Sequence, residues 1–314
     1  MATKQNKAVF GILLIIFLSF VMLFIFASYT VRNLKGKGAS FVTSEESSIA
    51  VVEINGVIMT SKDLVELVQA AEDDKDTQAI FLRINSPGGA VGPTQEVYEE
   101  VRRIDQLYTD SKGEKGKPVY ASFGSIAASG GYYLGAATRR IYANAGTLTG
   151  SIGVIMQFMD LSRLYDFAMV KQNNITSGKY KDVGQPNRSM TEEEKALLKG
   201  IILDVHEQFM SDIQRTRKDR IKKDLKELAQ GQIFSGRQAK DFGLVDEIAS
   251  LWQAGRLVHK ELGLKGEFGF KYIEKRKKTG LWALMENLDE AVTSIKMLSQ
   301  SLVKSGDQVN LLYK

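Results

Sequence analysis

A short β-branched run, a glycine-rich turn and a helix-period segment follow one another three times between residues 49 and 137. That recurrence restricts the chain more than any other feature. IAVVEI (49–54), AIFLRI (79–84) and VYASF (119–123) read as strands. The apolar spacing of Leu64, Val65, Leu67, Val68 and Ala71 predicts a helix over 62–73, and a second helix is expected over 93–107. Strands that alternate with helices form a largely parallel sheet in an α/β layer fold. Ligands then bind beyond the carboxyl ends of the strands, where Asn85-Ser86-Pro87-Gly88-Gly89 and Ala127-Ala128-Ser129-Gly130-Gly131 fall.

Further along, IYA (141–143) and GVIM (153–156) read as short strands around the loop 144–151. A long charged helix is expected over about 191–228, with capping chemistry in 189–192. Apolar residues at 281, 284, 285, 288, 292, 295, 298 and 302 give an amphipathic helix in a carboxyl-terminal extension, 266–314. That helix suits packing on the domain or a subunit contact better than a membrane surface.

Residues 8–29, AVFGILLIIFLSFVMLFIFASY, carry no charge. A helix of that length crosses the ~30 Å hydrocarbon core of a bilayer. The run exceeds the 7–15 apolar residues typical of a cleaved secretory signal, and no Ala-x-Ala pattern closes it. The expectation is a short tail (1–7), a transmembrane anchor (8–29), a polar tether (30–48) and one catalytic domain (49–265). Basic residues flank the anchor on both sides, so charge counting leaves its orientation undecided.

Composition removes several chemistries. The chain has no cysteine, which excludes disulfides, thiolate nucleophiles and zinc–cysteine sites. Its net charge of +5 is spread out rather than gathered in a stripe, so no nucleic-acid partner is expected. No cofactor or metal is expected either. No G-x-x-x-x-G-K-[ST] or G-x-G-x-x-G spacing accompanies Gly88-Gly89, although a phosphate or thioester cradle is the rival use of such a loop.

Ser129 is the candidate nucleophile, because small residues surround it at a strand-to-helix turn. Such a turn exposes the hydroxyl and aims backbone N–H groups at a developing oxyanion. A structural helix cap is the plain alternative. The base is harder to place. His206 and His259 lie among charged helical neighbours and read as surface residues. Lys179 and Lys181 sit in a Gly- and Ser-rich loop. A lysine works as a base only when neutral, which requires a dry pocket with no carboxylate against the amine. Asp182 should therefore point elsewhere. Ser151 either orients such a lysine or is a simple turn serine.

Four blocks occur in order: NSPGG (85–89), AASGGYY (127–133), TLTGSIGV (147–154) and GRQAK (236–240). With the apolar amino-terminal run, they resemble the signal peptide peptidase A family in its short bacterial form, over about residues 49–264. The resemblance implies a crotonase-like (Clp protease-like) spiral of ββα units, preceded by one transmembrane helix. It implies a Ser/Lys dyad with Ser129 as nucleophile, Lys181 rather than Lys179 as general base, and Ser151 as the hydroxyl that holds the lysine. Gly88, Gly89 and Gly130 would form the oxyanion loops. Implied partners are hydrophobic peptides, the lipid bilayer through 8–29, and further copies of the chain, with active sites at or near subunit contacts. The implied location is the bacterial cytoplasmic membrane, with the catalytic domain on its outer side and cleaved signal peptides as substrates. The alternatives are a crotonase-like acyl-CoA enzyme and a non-catalytic membrane scaffold of the same fold.

Overall fold

The computed structural model describes residues 49–274 and, apart from them, Met22. Within these residues the strands are β1 (Ile49–Asn55), β2 (Ala79–Ser86), β3 (Val119–Ala128), β4 (Arg140–Ala143), β5 (Leu148–Gly150), β6 (Ile233–Ser235), β7 (Glu247–Ile248) and β8 (Phe270–Tyr272). The helices are α1 (Lys62–Asp73), α2 (Val91–Asp110), α3 (Gly130–Ala136), α4 (Ser162–Phe167), α5 (Glu192–Arg217), α6 (Leu225–Leu228), α7 (Gly236–Phe242) and α8 (Leu251–Glu261). Apart from Met22, the expected anchor, tether and final amphipathic helix fall outside the described residues. Among the described residues no helix is long and apolar enough to cross a membrane.

The strands form one mixed sheet in the order β6-β5-β3-β2-β1-β8, with β4 joining β3 to β7. All pairings are parallel except β5 with β6. A parallel sheet buries both faces, and the strand sequences show it. Ala50, Val52, Ile54, Ile80, Leu82 and Ile84 enter a core beneath α1, α2 and α3. The alternate residues Ile49, Val51, Ala79 and Phe81 enter a second core with Tyr120, Tyr142 and Phe270. Period-two alternation thus feeds two apolar layers rather than one apolar and one wet face. Strand β8 belongs to the 266–314 extension, so that extension supplies one edge of the sheet.

Four local expectations need correction. The third strand runs to Ala128 instead of ending at Phe123. Its first half pairs with β4 and its second half with β5. Residues 153–156 form no strand; β5 lies earlier, and positive φ at Gly150 (84°) and Ser151 (50°) turns the chain off the sheet. The long helix stops at Arg217, whose fully buried guanidinium is tied to Asp246 and to the Gly243 carbonyl. The turn beyond it lets Leu225 and Leu228 reach the core. The capping box of α5 is Thr191 with Glu194, two residues beyond Ser189, where the expected capping segment opens.

Candidate active site

The site begins with an irregularity between β2 and β3. Register shifts between Ile84 and Ser86, and the Asn85 side-chain oxygen accepts the N–H groups of Ser125 and Ile126 at 3.2 and 3.3 Å. That bulge steers the end of β3 onto β5 and delivers Ser129 to the strand–helix junction. Ser129 has φ 51° and ψ −120°, a conformation most side chains avoid. Three contacts hold it there. Its N–H donates to the Gly150 carbonyl at 2.9 Å, its carbonyl accepts from Tyr133 N–H at 2.9 Å, and Thr149 Oγ1 donates to the Ala127 carbonyl at 2.6 Å. Strain of this kind persists only where surrounding bonds impose it, and it concentrates at functional sites.

The second glycine loop lies against this turn. A Cβ added to Gly88 (φ 105°) would stand 2.7 Å from the Gly130 nitrogen and 2.9 Å from Ser129 Cβ, so only glycine allows the approach. The Gly88 N–H is already committed to Ser86 Oγ at 3.1 Å. Ile58 pins the loop from outside: its N–H donates to the Gly88 carbonyl, and its carbonyl accepts from Ala90 N–H. The Gly89 N–H has no acceptor among the described residues. As first residue of α3, Gly130 has no carbonyl of its own helix to reach. Among the described residues, Gly89 and Gly130 therefore offer unspent donors beside Ser129, whereas Gly88 and the Ser129 amide shape the turn.

A cleft opens at Ser129, Gly130 and Gly89. Its apolar walls include Val91, Val154, Val205 and Phe209; Thr94 and Gln95 add polar groups. Tyr133 forms part of the wall. Its ring stacks on Tyr98 at 4.6 Å and meets Phe209 edge-on at 4.7 Å, and its hydroxyl donates to Asp212. Burial, and then the neighbouring Asp212 carboxylate, push the Tyr133 phenol well above its usual range, so it stays a donor.

The remaining candidates lie as follows. Ser151 is half-buried, one residue beyond the carbonyl that holds Ser129, and its N–H donates to the Gln232 carbonyl at 2.8 Å. Lys181 is exposed in the turn 177–184 and is not among the described residues that line the cleft at Ser129. Lys179 pairs with Glu193, which pushes its amine further up. Asp182 is turned to Arg188 at 2.9 Å. His206 and His259 differ from the surface reading: both are half-buried, each with a shielded, unpartnered Nε2, and neither lines the cleft.

Sequence reasoning missed Asn85 as the bulge-former and Val205 and Phe209 as cleft walls. The latter pair is an i, i+4 apolar couple in the second half of α5, which is the signal that could have exposed it.

A serine-bearing strand–helix turn with free backbone donors over an apolar cleft is equipment suited to acyl transfer. Comparison with known proteins agrees. Residues 111–265 match the model of peptidase family S49. A Synechocystis protein named as a protease is 39% identical over 212 residues, covering 67% of this chain and 73% of that protein. A Methanocaldococcus jannaschii protein named as a protease is 31% identical, covering 85% of this chain and 91% of its own length. An Enterococcus faecium protein named as an SppA signal peptide peptidase is 30% identical, over 65% of this chain and 61% of its own. The chain belongs to peptidase family S49 and is a serine-type peptidase of the SppA kind.

Proposed function

We propose that this peptidase degrades short, extended, hydrophobic peptides, cleaved signal peptides among them, while anchored in the bacterial cytoplasmic membrane by residues 8–29. The single observation that carries the reading is Ser129, held in a strained turn between the Gly89 and Gly130 donors at the mouth of an apolar cleft. Exposed Val57 and Met59 flank the Ile58–Gly89 bridge and extend that apolar rim. In this reading the sheet is the core of a crotonase-like spiral, and the catalytic domain faces the outer side of the membrane.

Lys181 takes the proton from Ser129 Oγ as the oxygen attacks the peptide carbonyl carbon. The Gly89 and Gly130 N–H groups receive the oxyanion, the C–N bond breaks, and the Lys181 ammonium returns its proton to the departing amine. Lys181 then takes a proton from water, which attacks the acyl carbon; the proton passes to Ser129 Oγ as the acid leaves. Ser151 orients the neutral amine.

Self-assembly completes the site in this reading. The segment that leads to Lys181 exposes Ile155, Met159, Leu164, Phe167, Met169 and Ile175, an apolar surface suited to another copy of the chain. A Lys181 delivered from a neighbour would enter a dry, enclosed site.

Ser129→Ala and Lys181→Ala should each abolish hydrolysis of a hydrophobic peptide without changing assembly in sedimentation. Mixed assemblies of the two inactive variants should recover part of the activity, because some contacts pair an intact serine with an intact lysine. Activity in either single variant contradicts the dyad; silent mixtures contradict its division between subunits.

A further inference from the structure

The stretch 179–188 contains three cations: Lys179, Lys181 and Arg188. Lys179 is paired with Glu193 and lies over the Tyr180 ring at 5.3 Å. The Arg188 fork reaches both Asp182 oxygens, at 2.9 and 3.2 Å, and both Glu194 oxygens, at 2.6 and 2.9 Å. The neighbouring carboxylates Asp182, Glu193 and Glu194 are therefore all claimed by the other two cations. Lys181 has no ion pair or side-chain hydrogen bond among the described residues.

Geometry adds to this sorting of charge. Glu194 closes the capping box on Thr191 and is nearly buried, so it is a fixed point at the amino end of α5. Asp182 follows Lys181 directly. One planar guanidinium thus ties the turn that bears Lys181 to the helix whose Val205 and Phe209 wall the cleft. Only arginine spans two carboxylates in this way; lysine offers a point charge.

We propose that Arg188 is a positioning residue for peptide hydrolysis: it fixes the Lys181 turn on α5 and keeps the Asp182 carboxylate off the Lys181 amine. This rests on the reading of Lys181 as the base. A base must shed its proton to act, and a carboxylate beside the amine would retain it. The other charged or titratable groups around this turn are Lys179, Tyr180, Glu193, Glu194 and, through Ser189, Asp160 with Arg163. None of them is altered by the test below.

The test uses the full chain and a hydrophobic peptide substrate, with kcat/KM followed against pH. Arg188→Gln should lower kcat near neutral pH by roughly 10- to 100-fold, with KM little changed. Its acidic limb should move to higher pH by about one pH unit. Adding Asp182→Asn to Arg188→Gln should return the limb to its wild-type position, a rescue that a merely structural role would not produce. A limb that stays put in Arg188→Gln, or stays displaced in the double variant, overturns the proposal. Should Arg188→Gln fail to assemble, Arg188→Lys carries the test: reduced kcat with an unmoved limb supports the fork, and full activity overturns it. Activity in Lys181→Ala sinks the underlying dyad instead, and so separates the two failures.

Discussion

The Ser129 N–H donates to the Gly150 carbonyl at 2.9 Å, so the Ser129 amide is spent on holding the turn. Gly150 can do this because φ 84° turns its carbonyl back toward β3. A Cβ there would also stand 2.7 Å from Phe234 Cδ2 and 3.0 Å from the Gln232 carbonyl. Gly150→Ala should cost about 1–2 kcal/mol from the left-handed backbone alone. It should lower kcat at least about tenfold while KM holds, because the Ser129 turn loosens. Thermal unfolding and steady-state kinetics on one preparation check both effects; wild-type kcat would free Ser129 of this tether.

Gly88 gives a sharper test of the donor pair. The methyl of Gly88→Ala must intrude on the Gly130 nitrogen, and φ 105° adds strain. Loss of one oxyanion donor typically costs about 10²–10³ in kcat, and a loss of that size is expected here. Labelling of Ser129 by a fluorophosphonate should slow in parallel. Gly92→Ala is the control: nothing lies within 4 Å of a Cβ there, and activity should be unchanged. Equal effects at both positions would mean that Gly88 matters to folding rather than to charge stabilisation.

How far the sequence discloses this site depends on the range of the interactions involved. Strands β1 and β2 and helices α1 and α2 follow from local apolar periodicity, and their observed limits lie close to the expected ones. Strand β5 does not follow from it. Its three residues pair with β3 only because the Asn85 bulge redirects that strand, which is a non-local cause. The end of α5 at Arg217 has a similar origin, since the charged run 215–223 continues a helical pattern. The chain turns there because Asp246 receives the buried guanidinium. The two glycine loops were legible in the sequence as neighbours at adjacent strand ends. Which of their amides remain unspent was not, because Ser86 and Ile58 decide it.

Cleft size should govern which side chain the enzyme accepts before the scissile bond. Val205 and Phe209 stand one helical turn apart on α5 and face the space beside Ser129. Val205→Phe should fill that space. Peptides with Leu or Phe preceding the cut should lose roughly 10- to 200-fold in kcat/KM relative to those with Ala. Phe209→Leu should relax the selection toward larger side chains, at some cost in stability because Phe209 is buried edge-on against Tyr133. Mass-spectrometric mapping of cuts in a peptide mixture reads both changes. An unaltered cleavage map in Val205→Phe would remove this cleft from substrate binding.

The Arg188 clamp also sets the acid limit of the amino end of α5. The Arg188 guanidinium, and then the Thr191 backbone N–H, hold the Glu194 carboxyl at about 2, against an ordinary value of 4.5. Arg188 likewise holds Asp182 below its usual range. A carboxyl whose folded value lies below its unfolded value contributes stability that is complete above the unfolded value. That contribution declines as pH falls from about 4.5 to about 2 and is gone below. Glu194→Gln retains the capping-box geometry, since glutamine also serves at the third helical position, but cannot ionise. Wild type should therefore be the more stable of the two at pH 5 and above, by a constant margin. The margin should narrow steadily toward about pH 2, as followed by urea midpoints in acid buffers. A margin that stays constant across that whole range would show that Glu194 acts at the helix end through shape and not through its charge.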